Sequence, residues 1–129
     1  MIDDELGEEL ASLPNVTLKG FDPAPPFGSY AALLSVSSSE NLPISICEAL
    51  ACGLPVVSYD VGGIREAVFG TRGYLVEPFD AESIALKACQ ALECSDWTVD
   101  SEAILKQFSW DSAANSYLEL FASFGEGSL

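Results

Sequence analysis

An α/β fold built on a parallel sheet with helices on both faces follows from three observations. Short apolar runs alternate with segments of helical spacing along most of the chain. Glycine and proline punctuate the junctions between them. One run, Leu54 to Ser58 (LPVVS), is almost continuously apolar, as strands covered on both faces of a parallel sheet are.

Asp3 to Leu13 carries Leu6, Leu10 and Leu13 on one helical face, and Asn15 to Lys19 (NVTLK) alternates as a strand. Asp22 to Phe27 (DPAPPF) is a proline-rich loop, and Ala31 to Val36 (AALLSV) reads as a second, buried strand. Pro43 fits the first turn of a helix, where its missing N–H costs nothing, and Ile44, Cys47, Leu50 and Ala51 recur at helical spacing behind it. Gly53 is its expected C-cap. A strand over Pro55 to Tyr59, a short helix opening at Gly63, a strand over Gly73 to Val76 and a helix over Ala81 to Leu92 follow. The reading is a Rossmann-like parallel sheet of about four strands. A final helix, Trp110 to Phe124, is expected to bury Trp110, Ala114, Tyr117, Leu118 and Phe121, with residues 125–129 as a frayed tail beyond a single domain over 1–124.

Composition narrows the function. With 129 residues, 49% of them apolar, the chain is large enough for one core. Twenty acidic residues against five basic ones give a formal charge of −15, a field that repels nucleic acid and anionic membranes. It also disfavours a nucleotide diphosphate unless cations stand nearby. No run approaches the roughly 20 apolar residues of a membrane span, and Met1 to Glu9 lacks the basic and apolar regions of a signal peptide, so a cytoplasmic setting is expected. Cys47, Cys52, Cys89 and Cys94 form two pairs five residues apart, which on a helix sets partners about 140° from each other. With no histidine in the chain, no metal site is expected, and the thiols are expected reduced.

The chemistry concentrates in SSENLPISICEALACGLPVV (38 to 57), where Glu40 and Glu48 bracket the passage from loop into helix. Free backbone N–H groups at a helix start attract phosphate oxygens, and a carboxylate accepts hydrogen bonds from sugar hydroxyls. The spacing suggests a site for a polyol bearing a phosphate.

NVTLKGF (15 to 21), SENLP (39 to 43), EALACGLPVV (48 to 57), VGGIRE (61 to 66), GYLVEPFD (73 to 80) and FSW (108 to 110) resemble the C-terminal, donor-binding domain of retaining GT-B glycosyltransferases, of the group 1 or glycogen-synthase-like kind. The paired glutamates followed by ALACGLPVV are the specific part of this match; the glycine pair Gly62 and Gly63 alone reads as a tight strand-to-helix turn, and Arg65 and Arg72 as surface charges. The resemblance implies metal-independent departure of a nucleotide diphosphate with retention at the anomeric carbon, and no cofactor. It implies a catalytic role for Glu40 beside the donor sugar. Backbone N–H groups across Asn41, Leu42, Pro43 and Ile44 would meet sugar and diphosphate, Glu48 would hold the ribose hydroxyls, and Gly20 and Phe21 would lie close to the base.

Three departures accompany it. Relatives carry an Arg and a Lys in early strands of this domain that neutralise the diphosphate, and neither has a counterpart here. Asn41 stands where relatives often have glycine. The chain begins inside the donor domain, which suggests a fragment, a split subunit or a degenerate relative, with an acceptor domain or subunit missing. The expected function is therefore the donor-binding part of a glycosyltransferase, inactive alone. The alternative is a non-catalytic Rossmann-like module that is degenerate or acts through a protein partner.

Overall fold

The structure, a computed structural model, describes residues 4–68, 71, 73–94 and 100–125. Its elements in order are α1 (Asp4–Ser12), a 3₁₀ turn (Phe27–Ser29), β1 (Leu33–Ser35), α2 (Ile44–Ala51), β2 (Val56–Tyr59), α3 (Ile64–Val68), β3 (Tyr74–Val76), α4 (Ala81–Glu93), α5 (Ser101–Gln107) and α6 (Trp110–Gly125). The strands form one parallel sheet in the order β1-β2-β3, with Leu33 opposite Val56 and Val57 opposite Tyr74.

β2 explains the layering. All four of its residues are buried, and successive side chains of a strand point to opposite faces. Val56 joins Ile46, Ala49, Leu50, Leu54, Ile64 and Ile104 beneath α2, α3 and α5, whereas Val57 and Tyr59 join Val76, Ile84 and Ala91 beneath α4. Ser58 is the buried polar residue of this strand, and its hydroxyl donates to the Tyr59 carbonyl at 3.0 Å.

Local signals set the helix ends. α2 stops in a paired-bond cap: Gly53 takes φ +75°, its N–H donates to the Leu50 carbonyl, and the Leu54 N–H reaches back to Ala49. Asp80 and Asp100 cap α4 and α5 by accepting the N–H of Ser83 and Ala103, each at 2.9 Å. Pro43 is the N-cap residue of α2, one position ahead of the expected first turn.

Three expectations are corrected. Among the described residues the parallel sheet has three strands where about four were expected, because Asn15 to Lys19 joins no ladder. Alternation makes a segment fit for pairing, but the Val16 N–H is bonded back to the Leu13 carbonyl at the end of α1. β1 is not a buried strand but a half-covered edge, with Leu34 and Val36 exposed. α6 forms at the expected place, yet Trp110, Ala114, Tyr117, Leu118 and Phe121 are all exposed, since no described element packs over that face. Of the expected tail, residues 126–129 lie outside the described residues. No helix among the described residues is long and apolar enough to cross a membrane.

Candidate functional site

In a parallel sheet, ligands gather where the strands end and the following helices begin. Here the loop from β1 into α2, residues 36–43, and the loop from β2 into α3, residues 60–63, meet at that edge. Gly63 donates its backbone N–H to the Asn41 carbonyl at 2.5 Å, and the Glu40 carbonyl packs directly on Gly62, which takes φ +55°. Among the described residues there is no cis peptide bond, so in each of these peptides the N–H points opposite to the carbonyl. The N–H groups of Asn41 and Leu42 therefore face away from the glycine pair.

Pro43 then hands the chain to α2. A proline cap supplies no side-chain oxygen to the first turn, and no acidic residue occupies that turn. The backbone bonds of the turn begin with Ile46 and Cys47, both donating to the Pro43 carbonyl. The N–H groups of Ile44 and Ser45 are those that a helix start leaves without an intrahelical partner.

The outer face of α2 forms one wall of a groove of about 620 Å³, to which Leu42, Ile44 and Glu48 contribute. Ile44 and Glu48 are one turn apart and so share a face. Ile104 of α5, Phe108 just beyond its end and Trp110 of α6 form the facing wall. On its other side Glu48 also borders a shallower depression of about 350 Å³ beneath Pro23, Pro25 and Phe27.

The expected site residues thus separate into groups. Leu42, Ile44 and Glu48 come together in the groove; Glu40 and Asn41 are held beside it by the glycine pair, with Glu40 half-buried and outside the groove lining. Gly20, at φ +71°, and Phe21, 93% exposed, line neither cavity, although Asp22 alone separates them from the rim that begins at Pro23.

The electrostatics are acidic. Among the described residues no cation lines the groove. Arg65 is a surface charge paired with Asp60, Lys87 lies over the Tyr74 ring and bonds Gln90, and Lys19 lies over the Tyr30 ring. Arg72 is outside the described residues. Cys47, in the groove wall, has its thiol pushed above the ordinary range by burial, with a smaller push from the Glu48 charge and a partial offset from a backbone hydrogen bond.

Two features escape a sequence reading. α5, which supplies the facing wall, is too short for periodicity to show, and its signal is Asp100 standing as a cap before SEAILK. The glycine pair's contact with Glu40 and Asn41 joins distant segments, and nothing local announces it.

Comparison with known proteins places the sequence in a family. Residues 2–94 match the family described as glycosyl transferases group 1. The chain is 31% identical to an O-antigen chain mannosyltransferase B of Escherichia coli over 64% of its own length and 22% of that protein. It is 30% identical to an N-acetyl-alpha-D-glucosaminyl L-malate synthase of Bacillus anthracis over 69% of its length and 25% of that enzyme. A D-inositol 3-phosphate glycosyltransferase of Corynebacterium urealyticum is 28% identical over 93% of the chain and 30% of its own length. The chain thus spans less than a third of each of these relatives. With its three-stranded parallel sheet between helices and its matching sequence, the chain belongs to the group 1 glycosyltransferase family.

Proposed function

We propose that this chain is the donor-binding part of a retaining glycosyltransferase that moves a sugar from a nucleotide diphosphate sugar to an acceptor, and that it corresponds to the C-terminal domain of the GT-B arrangement. The observation that carries the proposal is the juxtaposition at the start of α2. The N–H groups of Asn41 and Leu42 turn away from the glycine pair, the uncapped N–H groups of Ile44 and Ser45 follow, and Glu48 stands one turn further on. Backbone donors in succession suit phosphate oxygens, and a carboxylate beyond them suits the ribose hydroxyls.

In this reading Glu40 is the catalytic residue beside the donor sugar, and Pro43 fixes the entry of the loop into the helix. Gly20 and Phe21 flank the base. The acceptor is brought by a further domain or subunit, and the reaction takes place in the cytoplasm. Among the described residues the groove has no cation to offset a diphosphate, and the net charge is −15, so the chain alone holds donors weakly and transfers nothing.

Titration of the chain with UDP-, GDP- and ADP-sugars, followed by amide resonances and by calorimetry, tests this. Affinity on the order of millimolar is expected, with shifts centred on Asn41 to Ser45, and Glu48→Ala should weaken it. An absence of shifts at those amides would sink the donor reading. Submicromolar affinity or turnover by the chain alone would instead overturn its inactivity in isolation.

A further inference from the structure

We propose that Gly62 and Gly63 are positioning residues that set the donor loop, their backbones forming the surface on which Glu40 and Asn41 are seated; this rests on the reading of residues 40–45 as the donor site. A glycine required only for a turn has room on its missing side-chain position. Gly20, at φ +71°, has nothing within 4 Å of a built Cβ, and Gly53, at φ +75°, meets only the Ser101 hydroxyl at 3.8 Å.

The pair is different. A Cβ on Gly62 would overlap the Glu40 carbonyl, and one on Gly63 would overlap the Asn41 carbonyl oxygen and lie 3.2 Å from its carbon. Those are backbone atoms, which cannot swing aside as the end of a flexible side chain can. Gly62 alone of the two has a positive φ, so a turn explains neither the pair nor the contact; close approach of two backbones explains both.

The pair belongs to the rigid frame. The Gly63 carbonyl accepts the N–H groups of Glu66 and Ala67 at the start of α3, and the next residue, Ile64, is fully buried. Residues 37–42, by contrast, have one backbone hydrogen bond to the rest of the chain among the described residues, the one from Gly63 to Asn41. Seating the two carbonyls on the glycines turns the Asn41 and Leu42 N–H groups outward, where a diphosphate oxygen would meet them. Asn41 is acceptable there because what must approach closely on that side is its own carbonyl.

Amide exchange on the whole, isotopically labelled chain tests the inference without a variant. The Gly63 N–H should exchange at least roughly tenfold more slowly than those of Asn41 and Leu42. In Gly62→Ala and Gly63→Ala the Asn41 and Leu42 resonances should move and the protection at position 63 should fall, while Ile46, Val57 and Ala67 stay protected. Gly28→Ala, where a Cβ meets open space, should change none of these. Added UDP should shift the Asn41 and Leu42 amides in the parent and in Gly28→Ala, and at least roughly tenfold more weakly in the two loop variants. Equal exchange at Gly63 and Asn41 in the parent would overturn the proposal, as would unmoved loop resonances in Gly62→Ala. Should both alanine variants fail to fold, the parent's exchange pattern alone decides. A protected Gly63 with no response of Asn41 and Leu42 to UDP overturns the donor reading and leaves the seating of the loop standing.

Discussion

Glu48 stands one helical turn beyond Ile44 on α2, and the two line the same groove, whereas Glu40 is held in the preceding loop outside it. The two acids therefore stand at different places, and if both act as proposed their substitutions should separate kinetically.

Within a complete glycosyltransferase containing this segment, Glu48→Ala should chiefly raise KM for the donor, whereas Glu40→Ala should chiefly lower kcat. An interaction made mostly in the transition state shows itself in kcat. A charged hydrogen bond is worth on the order of 1.5–3 kcal/mol, so changes of roughly tenfold to a hundredfold are expected. Steady-state kinetics on both variants, with circular dichroism to verify the fold, decides; parent-like kinetics in both would reject the roles.

Cys47 should be the slowest to alkylate of Cys47, Cys52 and Cys89. The thiolate is the reactive form, and burial together with the Glu48 charge disfavours it at Cys47, whereas Cys52 and Cys89 are exposed. Glu48→Gln should speed labelling of Cys47, because it removes a charge that raises the thiol's pKa. Mass-spectrometric labelling near pH 8 reads the order, and Cys47 reacting first would contradict the groove geometry.

The cap of α4 should give a pH signature. Asp80 is held below the ordinary carboxylate range first by the Ser83 N–H and next by the Ser83 side chain. A depressed folded pKa means a stabilising contribution that is present above the ordinary carboxylate range and lost as pH falls through the folded value. The advantage in thermal midpoint of the parent over Asp80→Asn should therefore shrink as pH falls below about 4. A gap independent of pH between 7 and the acid limit of folding would show that the charge of Asp80 plays no part.

Core and cap substitutions should rank by mechanism. Leu50→Ala empties a fully buried site beneath α2 and should cost about 2–5 kcal/mol. Gly53→Ala has room for its methyl group but must hold a left-handed backbone, at about 1 kcal/mol. Asp100→Ala removes the α5 cap, also at about 1 kcal/mol. Denaturant unfolding of the three variants should place Leu50→Ala well apart from the others, and a reversal would mean that the core does not lie where Val56, Leu50 and Ile64 place it.

The sequence by itself determined the elements from α2 to α4 and their order. Pro43 and Gly53 bound a helix, an apolar run marks β2 and Gly63 opens α3, all signals that act within a few residues through backbone geometry. The family itself was legible too, since residues 2–94 carry its pattern, whereas the roles of Glu40 and Glu48 stay part of the proposal. Tertiary structure alone decided which segments found partners. Among the described residues Asn15 to Lys19 alternates but enters no ladder, and the apolar face of α6 has spacing without a covering surface, since periodicity states what a segment is able to bury and not what covers it. The seat that Gly62 and Gly63 give to Glu40 and Asn41 is likewise a meeting of two strand ends, fixed by parallel pairing of β1 with β2. Only the folded sheet brings those ends together, so a contact that depends on the absence of two Cβ atoms reads in the sequence as no more than a turn.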